Sequence, residues 1–180
     1  MEKTEQEYQA ASKVCKSIFE AKLADYGSNW RILRPASLTD QLLIKARRIR
    51  NLESGRQAQV AEGVEPEYMG IVNYCIMAII QCRNGHLDAP AEHTEPILDW
   101  YQSIANEIFE LMKAKNNDYG EAWRDMRTSS LTDMLLNRIH RIKQIEDNQG
   151  KTSVSEGIES NYMDMVNYSL FALIKLGVGQ

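Results

Sequence analysis

The stretch Asp25-Tyr26-Gly27-Ser28-Asn29-Trp30 returns as Asp118-Tyr119-Gly120-Glu121-Ala122-Trp123, 93 positions further on. A unit used twice constrains a fold more than any composition does. Each copy needs a neighbour to bury its apolar face, and the other copy is at hand. At this shift residues 21 to 53 match 114 to 146 at 17 of 33 positions, and at a shift of 94 residues 62 to 80 match 156 to 174 at 10 of 19. Such density means one supersecondary unit repeated, with a single loop residue accounting for the change of shift.

Each unit reads as three helices. Residues 4 to 24 combine good helix formers with no Gly or Pro, and Val14, Ile18 and Leu23 give an apolar face near helical period. Gly27 ends this helix, since Gly accepts the left-handed conformation that follows many helix ends. Ser37-Leu38-Thr39-Asp40 predicts the next start, with Ser37 as cap and Asp40 in the capping-box position. Leu38, Leu42, Ala46 and Ile49 form its buried stripe, while Lys45, Arg47, Arg48 and Arg50 make its other sides basic. A polar loop follows, and Pro66 suits the first turn of a third helix over about 66 to 83. That helix is apolar almost all round and is expected to be central.

Residues 84 to 94, with Gly85 and Pro90, read as a linker between a first unit at 1–83 and a second at 95–180. The plan then recurs: a helix over about 95 to 117, the Asp118-Tyr119-Gly120 break, and a start at Ser130-Leu131-Thr132-Asp133. Leu131, Leu135, Ile139 and Ile142 face inward, and a last helix runs over about 160 to 176. No alternating strand pattern competes. The expected fold class is an all-α bundle of two tandem three-helix repeats with pseudo-two-fold symmetry, packed as one globular domain. The chain then stands as an intrachain pseudo-dimer of single-unit relatives, with a homodimer of the whole chain as a further option.

Composition bounds the partners. A formal net charge of -4 argues against a broad nucleic-acid footprint. No stretch of about 18 uncharged apolar residues offers a membrane span, and the start lacks an apolar signal segment. Cys15, Cys75 and Cys82 are odd in number and lack metal-site spacing, which points to reduced thiols and a cytoplasmic protein. Three scattered histidines make a His-rich metal site unexpected, so a bound metal would be held by carboxylates, which favours magnesium or manganese.

Two constellations carry chemistry. The first is the Asp-Tyr-Gly-x-x-Trp box, which reads either as a helix end with packed rings or as a small-molecule pocket. In the pocket reading the two rings of a box stack on a base and Lys22 or Lys115, three residues before the Asp, meets phosphate. In the second unit these are Tyr119 and Trp123 beside Asp118, with Arg124 and Arg127 as a further phosphate clamp. The second is Glu156-x-x-Glu159 followed by Asp164 and Asn167, the last two three apart on one helical face. An acid inside an apolar helix needs a partner, because an unmet buried polar group costs on the order of 1–3 kcal/mol. The partner is either Arg138 or Arg141, or a divalent cation held by Glu156, Glu159 and Asp164. The first unit has Glu62, Glu65 and Asn73 but Gly70 in place of Asp164, which makes the second unit the better metal candidate.

The combined pattern, Lys-x-x-Asp-Tyr-Gly-x-x-Trp, Ser-x-x-Asp with a basic helix, and an Asp-x-x-Asn-Tyr helix, resembles the bacterial and phage family called nucleotide modification associated domain 1. The second unit fits through Lys115, Asp118, Tyr119, Gly120, Trp123, Ser130, Asp133, Arg141, Ile158, Glu159, Asp164, Asn167 and Tyr168. The first fits through Lys22, Asp25, Tyr26, Gly27, Trp30, Ser37, Asp40, Arg48, Glu65, Asn73 and Tyr74. The resemblance implies a link to nucleotide metabolism and a nucleotide or modified nucleotide as ligand. It also implies a distant likeness to all-α nucleotide pyrophosphatases, whose carboxylates on neighbouring helices bind magnesium. Their Glu-x-x-Glu and Glu-x-x-Asp pattern is not kept: the second helices here carry Asp133 and Glu146, or Asp40 and Glu53, widely spaced.

The leading expectation is a magnesium-dependent nucleoside triphosphate pyrophosphohydrolase-like protein. Glu156, Glu159 and Asp164 would hold the metal, and Lys115, Asp118, Tyr119, Trp123, Arg124, Arg127 and Asn167 would form the nucleotide site. The alternatives are a non-catalytic nucleotide-binding or adaptor domain using the same box, and a structural bundle in which Asp164 pairs with an arginine.

Overall fold

A computed structural model describes residues 2–154 and 156–180. Among them the chain forms six α-helices and no strand: α1 (Glu2–Tyr26), α2 (Pro35–Glu53), α3 (Glu65–Asn84), α4 (Glu95–Tyr119), α5 (Thr128–Asp147) and α6 (Ile158–Lys175). A short 3₁₀ turn follows α1 at Asn29–Ile32 and another follows α4 at Ala122–Arg124. The fold is the all-α bundle of two three-helix units read from the sequence. No helix among the described residues is long and apolar enough to cross a membrane.

α3 and α6 form the centre and pack on each other; α2 lies against α3, α5 against α6, and α2 meets α5. Each third helix therefore buries itself against its twin and a second helix. α1 and α4 cover the outside, each touching both α3 and α6. The apolar stripes of the second helices are buried as the period predicts: Leu38, Leu42, Ala46 and Ile49 on α2, Leu131, Leu135, Ile139 and Ile142 on α5. The box glycines end α1 and α4 in the left-handed region, Gly27 at φ 61° and Gly120 at φ 64°, where a Cβ would be strained.

Three local readings are corrected. α2 starts at Pro35 and α5 at Thr128, so Ser37 and Ser130 lie inside the first turn and are not caps. Pro35 accounts for the early start of α2, because its ring presets the helical φ and needs no amide donor. Asp40 and Asp133 consequently serve another purpose. Asp40 accepts from Lys143 Nζ at 2.6 Å, and Asp133 pairs with Arg50 at 3.2 Å, so matched positions of the two units make matched ion pairs across the bundle. On α1 the buried face is Tyr8, Ala11, Cys15 and Phe19, rotated from the expected Val14, Ile18 and Leu23. Those three are only half-buried.

The units are cross-bonded by polar groups in the core. Tyr8 Oη donates to Asn167 Oδ1 at 2.7 Å, and Tyr101 Oη donates to Asn73 Oδ1 at 2.8 Å. Tyr162 meets Thr39 at 2.6 Å and Thr39 donates to Glu146 at 2.7 Å. Tyr68 meets Thr132 at 2.7 Å and Thr132 donates to Glu53 at 2.9 Å. Every one of these chains joins one unit to the other, so neither half satisfies its buried hydroxyls alone.

Candidate functional site

In the second unit the predicted box is engaged by the protein itself. Trp123 is 5 % exposed and lies face to face with Phe171, ring centroids 4.4 Å apart and planes 5° from parallel. Its other face carries the Arg124 guanidinium at 4.4 Å. Arg124 is held in turn by Glu121 and Glu7, both at 2.6 Å, and by Thr4. Asn167 is buried and accepts from Tyr8. Tyr119 is 77 % exposed, while Asp118 and Arg127 are exposed at the ends of α4 and α5. Trp123 and Arg124 are thus packed on each other, Asn167 lies in the core, and Asp118, Tyr119 and Arg127 stand at the surface.

The predicted metal ligands are dispersed too. Asp164 accepts from Lys115 Nζ at 2.5 Å and pairs with Arg138 Nη2 at 3.1 Å. Glu159 receives Arg83 Nε at 2.7 Å, and the same guanidinium donates two bonds to Glu107. This clamp holds the Glu107 carboxyl below the usual range, and the hydrogen bonds to Glu107 hold the Arg83 proton more tightly. Glu156 is exposed in the loop before α6. Among the described residues no group of three or more His, Cys, Asp or Glu stands close enough to hold a metal. The donor set does not fit a divalent cation: two cationic side chains already neutralise Asp164, and a third holds Glu159. Of the two partners weighed from sequence, Arg138 is the one that meets Asp164.

A largely apolar cavity lies in the first unit. Its volume is about 390 Å³, and Phe19, Tyr26, Trp30, Leu33, Tyr74 and Met77, from α1, the turn after it and α3, give it an aromatic and apolar lining. Ile18 and Leu23 also line it, which explains why these α1 residues are not fully buried. Lys22 and Lys45 stand in its lining, and no carboxylate does. Lys45 Nζ reaches Glu67 at 3.3 Å and sits 5.4 Å from the centre of the Tyr74 ring. Glu67 is shared with Arg48 at 3.0 Å. Arg31 does not take part: it is sunk beside the Trp30 and Trp100 rings and bonded to Gln81.

The family nucleotide modification associated domain 1 matches residues 22–82 and 115–176, together more than half of the chain. The chain belongs to this family. No curated protein and no solved structure matches it. The two matched segments are the two units without most of α1 and α4, and they begin at Lys22 and Lys115.

In this member of the nucleotide modification associated domain 1 family the two copies of the motif have diverged at the site. Position by position, Lys22 corresponds to Lys115, Lys45 to Arg138, Gly70 to Asp164, and Met77 to Phe171. In the second unit the acid ties the two cations together and the phenyl ring covers the indole. In the first unit both groups are gone. A Cβ on Gly70 would come within 2.8 Å of Lys45 Cε, so the lysine stem lies across the bare helix at this point. Lys22, Tyr26 and Trp30 belong to the box that the sequence offers as a pocket, whereas Lys45, Gly70 and Tyr74 are not joined to them by the sequence reading. The signal was present in the repeat comparison, as an acid and a ring lost from one copy while both cations stayed.

Proposed function

We propose that this protein binds a nucleotide in the cavity of the first unit, and that it does so as a binding module rather than as a metal-dependent hydrolase. The observation that carries the reading is the cavity itself: aromatic and apolar inside, with two lysines and no acid in its lining. A base stacks on Trp30, Tyr26 or Tyr74, and an ammonium that borders the opening attracts phosphate. Membership of the family agrees with a nucleotide as the ligand class. The binding reading is favoured over magnesium-dependent pyrophosphohydrolysis because the cavity offers no carboxylate to a metal or to an attacking water. The acids proposed for that role lie elsewhere: Asp164 and Glu159 hold cationic side chains, and Glu156 is exposed in a loop.

The test is thermal melting with canonical and modified deoxynucleotides, each in magnesium and in chelator, beside an assay for released pyrophosphate. A ligand at 100 times its Kd stabilises by about 2.7 kcal/mol, roughly 5–10 °C for a chain of this length. A shift that ignores chelator, without pyrophosphate release, is expected. If no nucleotide moves the melting temperature, the proposal fails. Magnesium-dependent release of pyrophosphate would sink its non-catalytic part.

A further inference from the structure

The second unit displays what the first unit lacks, and the missing pieces describe the ligand. Asp164 places one anionic group between a lysine of α4 and an arginine of α5, at 2.5 and 3.1 Å. The same two positions in the first unit are Lys22 on α1 and Lys45 on α2, and the residue opposite them is Gly70. Lys22 has no ion-pair partner among the described residues, and Lys45 shares Glu67 with Arg48. Lys22, Lys45 and Arg48 thus face one carboxylate, Glu67, and leave a net surplus of two positive charges beside the cavity.

We infer that the first-unit cavity takes a nucleoside monophosphate, whose single phosphate sits between Lys22 and Lys45 where the second unit carries the Asp164 carboxylate. This rests on the nucleotide-binding reading above and adds the number of phosphates to it. A phosphate monoester carries about -1.5 to -2 charges at pH 7, which matches that net surplus. A triphosphate brings more charge than the surplus neutralises and normally arrives with magnesium held partly by protein carboxylates, of which the lining has none. The lining of Phe19, Trp30, Leu33 and Met77 takes the flat base, and the Met77 thioether adapts to its outline where Phe171 in the other unit is fixed on Trp123. Gly70 thus leaves the space over α3 to the flexible end of Lys45, whose ammonium can swing onto the phosphate; an acid there would take the phosphate's place from within.

The experiment is calorimetric titration of the full chain, in chelator, with dAMP, dCMP, dGMP and dTMP, their triphosphates and their nucleosides. The triphosphates are repeated in magnesium. Wild type is compared with Gly70→Asp and Lys22→Glu. At least one monophosphate is expected to bind ten-fold or more tighter than its nucleoside and no weaker than its triphosphate. Gly70→Asp, which copies the second unit, is expected to lose at least 30-fold in affinity while melting no lower than wild type. Lys22 is exposed, so Lys22→Glu keeps the fold and is expected to show the same loss even if Gly70→Asp folds poorly. Triphosphates binding ten-fold tighter than monophosphates overturn this inference and leave the nucleotide-binding reading standing. So does undiminished monophosphate binding by Lys22→Glu. If neither monophosphates nor triphosphates bind at all, both fall together.

Discussion

Trp123 lies flat against Phe171, and Asp164 joins Lys115 to Arg138; the same places in the first unit hold Trp30, Met77, Gly70, Lys22 and Lys45, and a cavity stands where those contacts would be. The two units share their helices, their box and their polar cross-bonds. What separates them is whether the space between the first, second and third helices is filled by the chain or left for a ligand. Duplication allows this division of labour. One copy supplies rigid packing, with stacking worth about 0.5–1.5 kcal/mol beyond burial. The other copy then tolerates a hole, because its third helix is braced by its twin.

The largest effect expected on this comparison is at Asp164. Asp164→Gly turns the filled unit into a copy of the open one, but it strands the Arg138 guanidinium against the core. The expected loss is about 3 kcal/mol, with Lys115, itself half in solvent, absorbing part of the cost, and urea unfolding reads it. A loss below about 1 kcal/mol would mean that the ion pair is not what closes the second unit.

Next come the cross-bonded tyrosines. Tyr8→Phe leaves Asn167 Oδ1 without its donor, and Tyr101→Phe does the same to Asn73. Each is expected to cost about 1–2 kcal/mol by the same unfolding assay. Only Tyr101→Phe should also weaken nucleotide binding, since Asn73 lines the cavity and Asn167 does not. Equal effects of the two on binding would break the asymmetry between the units.

Glu146 gives a smaller, pH-dependent effect. Burial raises its pKa, the hydrogen bond from Thr39 only partly opposing this. A carboxyl whose folded pKa lies above its unfolded value favours folding when protonated, and that advantage is lost as pH rises through the folded pKa. At pH 7 the ionised group therefore costs stability. Glu146→Gln, which still accepts from Thr39, is expected to melt slightly higher than wild type at pH 7, with the difference shrinking as pH falls towards about 4. Melting curves across pH 4–8 check the sign.

The smallest effects belong to Asp40 and Asp133, each exposed and paired with a cation of the other unit. Their alanine variants are expected to cost under about 0.5 kcal/mol, and less still in high salt. A salt-independent loss of about 1 kcal/mol or more would restore the helix-cap role that the capping-box pattern suggests.

Why the fold was legible and the site was not follows from these same residues. Helix number, order and buried faces rest on local period and on repetition, and Leu38, Leu42, Ala46 and Ile49 announce their face by spacing alone. The third helices read as central because they have no polar side. Ion pairing is different in kind. Whether Asp164 waits for a metal or is already held depends on how far Lys115 and Arg138 reach, and they come from two other helices. Asp40 shows the same limit: its pattern matches a cap, but its partner lies 103 residues away on α5. Stripe rotation on α1 was missed because Ile18 and Leu23 are apolar for a cavity and not for the core. A missing side chain is the hardest feature to read: Gly70 looks like decay until both lysines are seen in the lining of one cavity that holds no acid.

The methionines report directly on which unit holds the ligand. Met69 and Met77 line the first-unit cavity, and Met163, which matches Met69 in the repeat, sits at the corresponding place in the second unit. In a methyl NMR titration of methionine-labelled protein with a nucleoside monophosphate, Met69 and Met77 should shift in a saturable way while Met163 stays still. Shifts centred on Met163, or a nucleotide that binds and leaves Met69 and Met77 unmoved, would contradict the placement of the site.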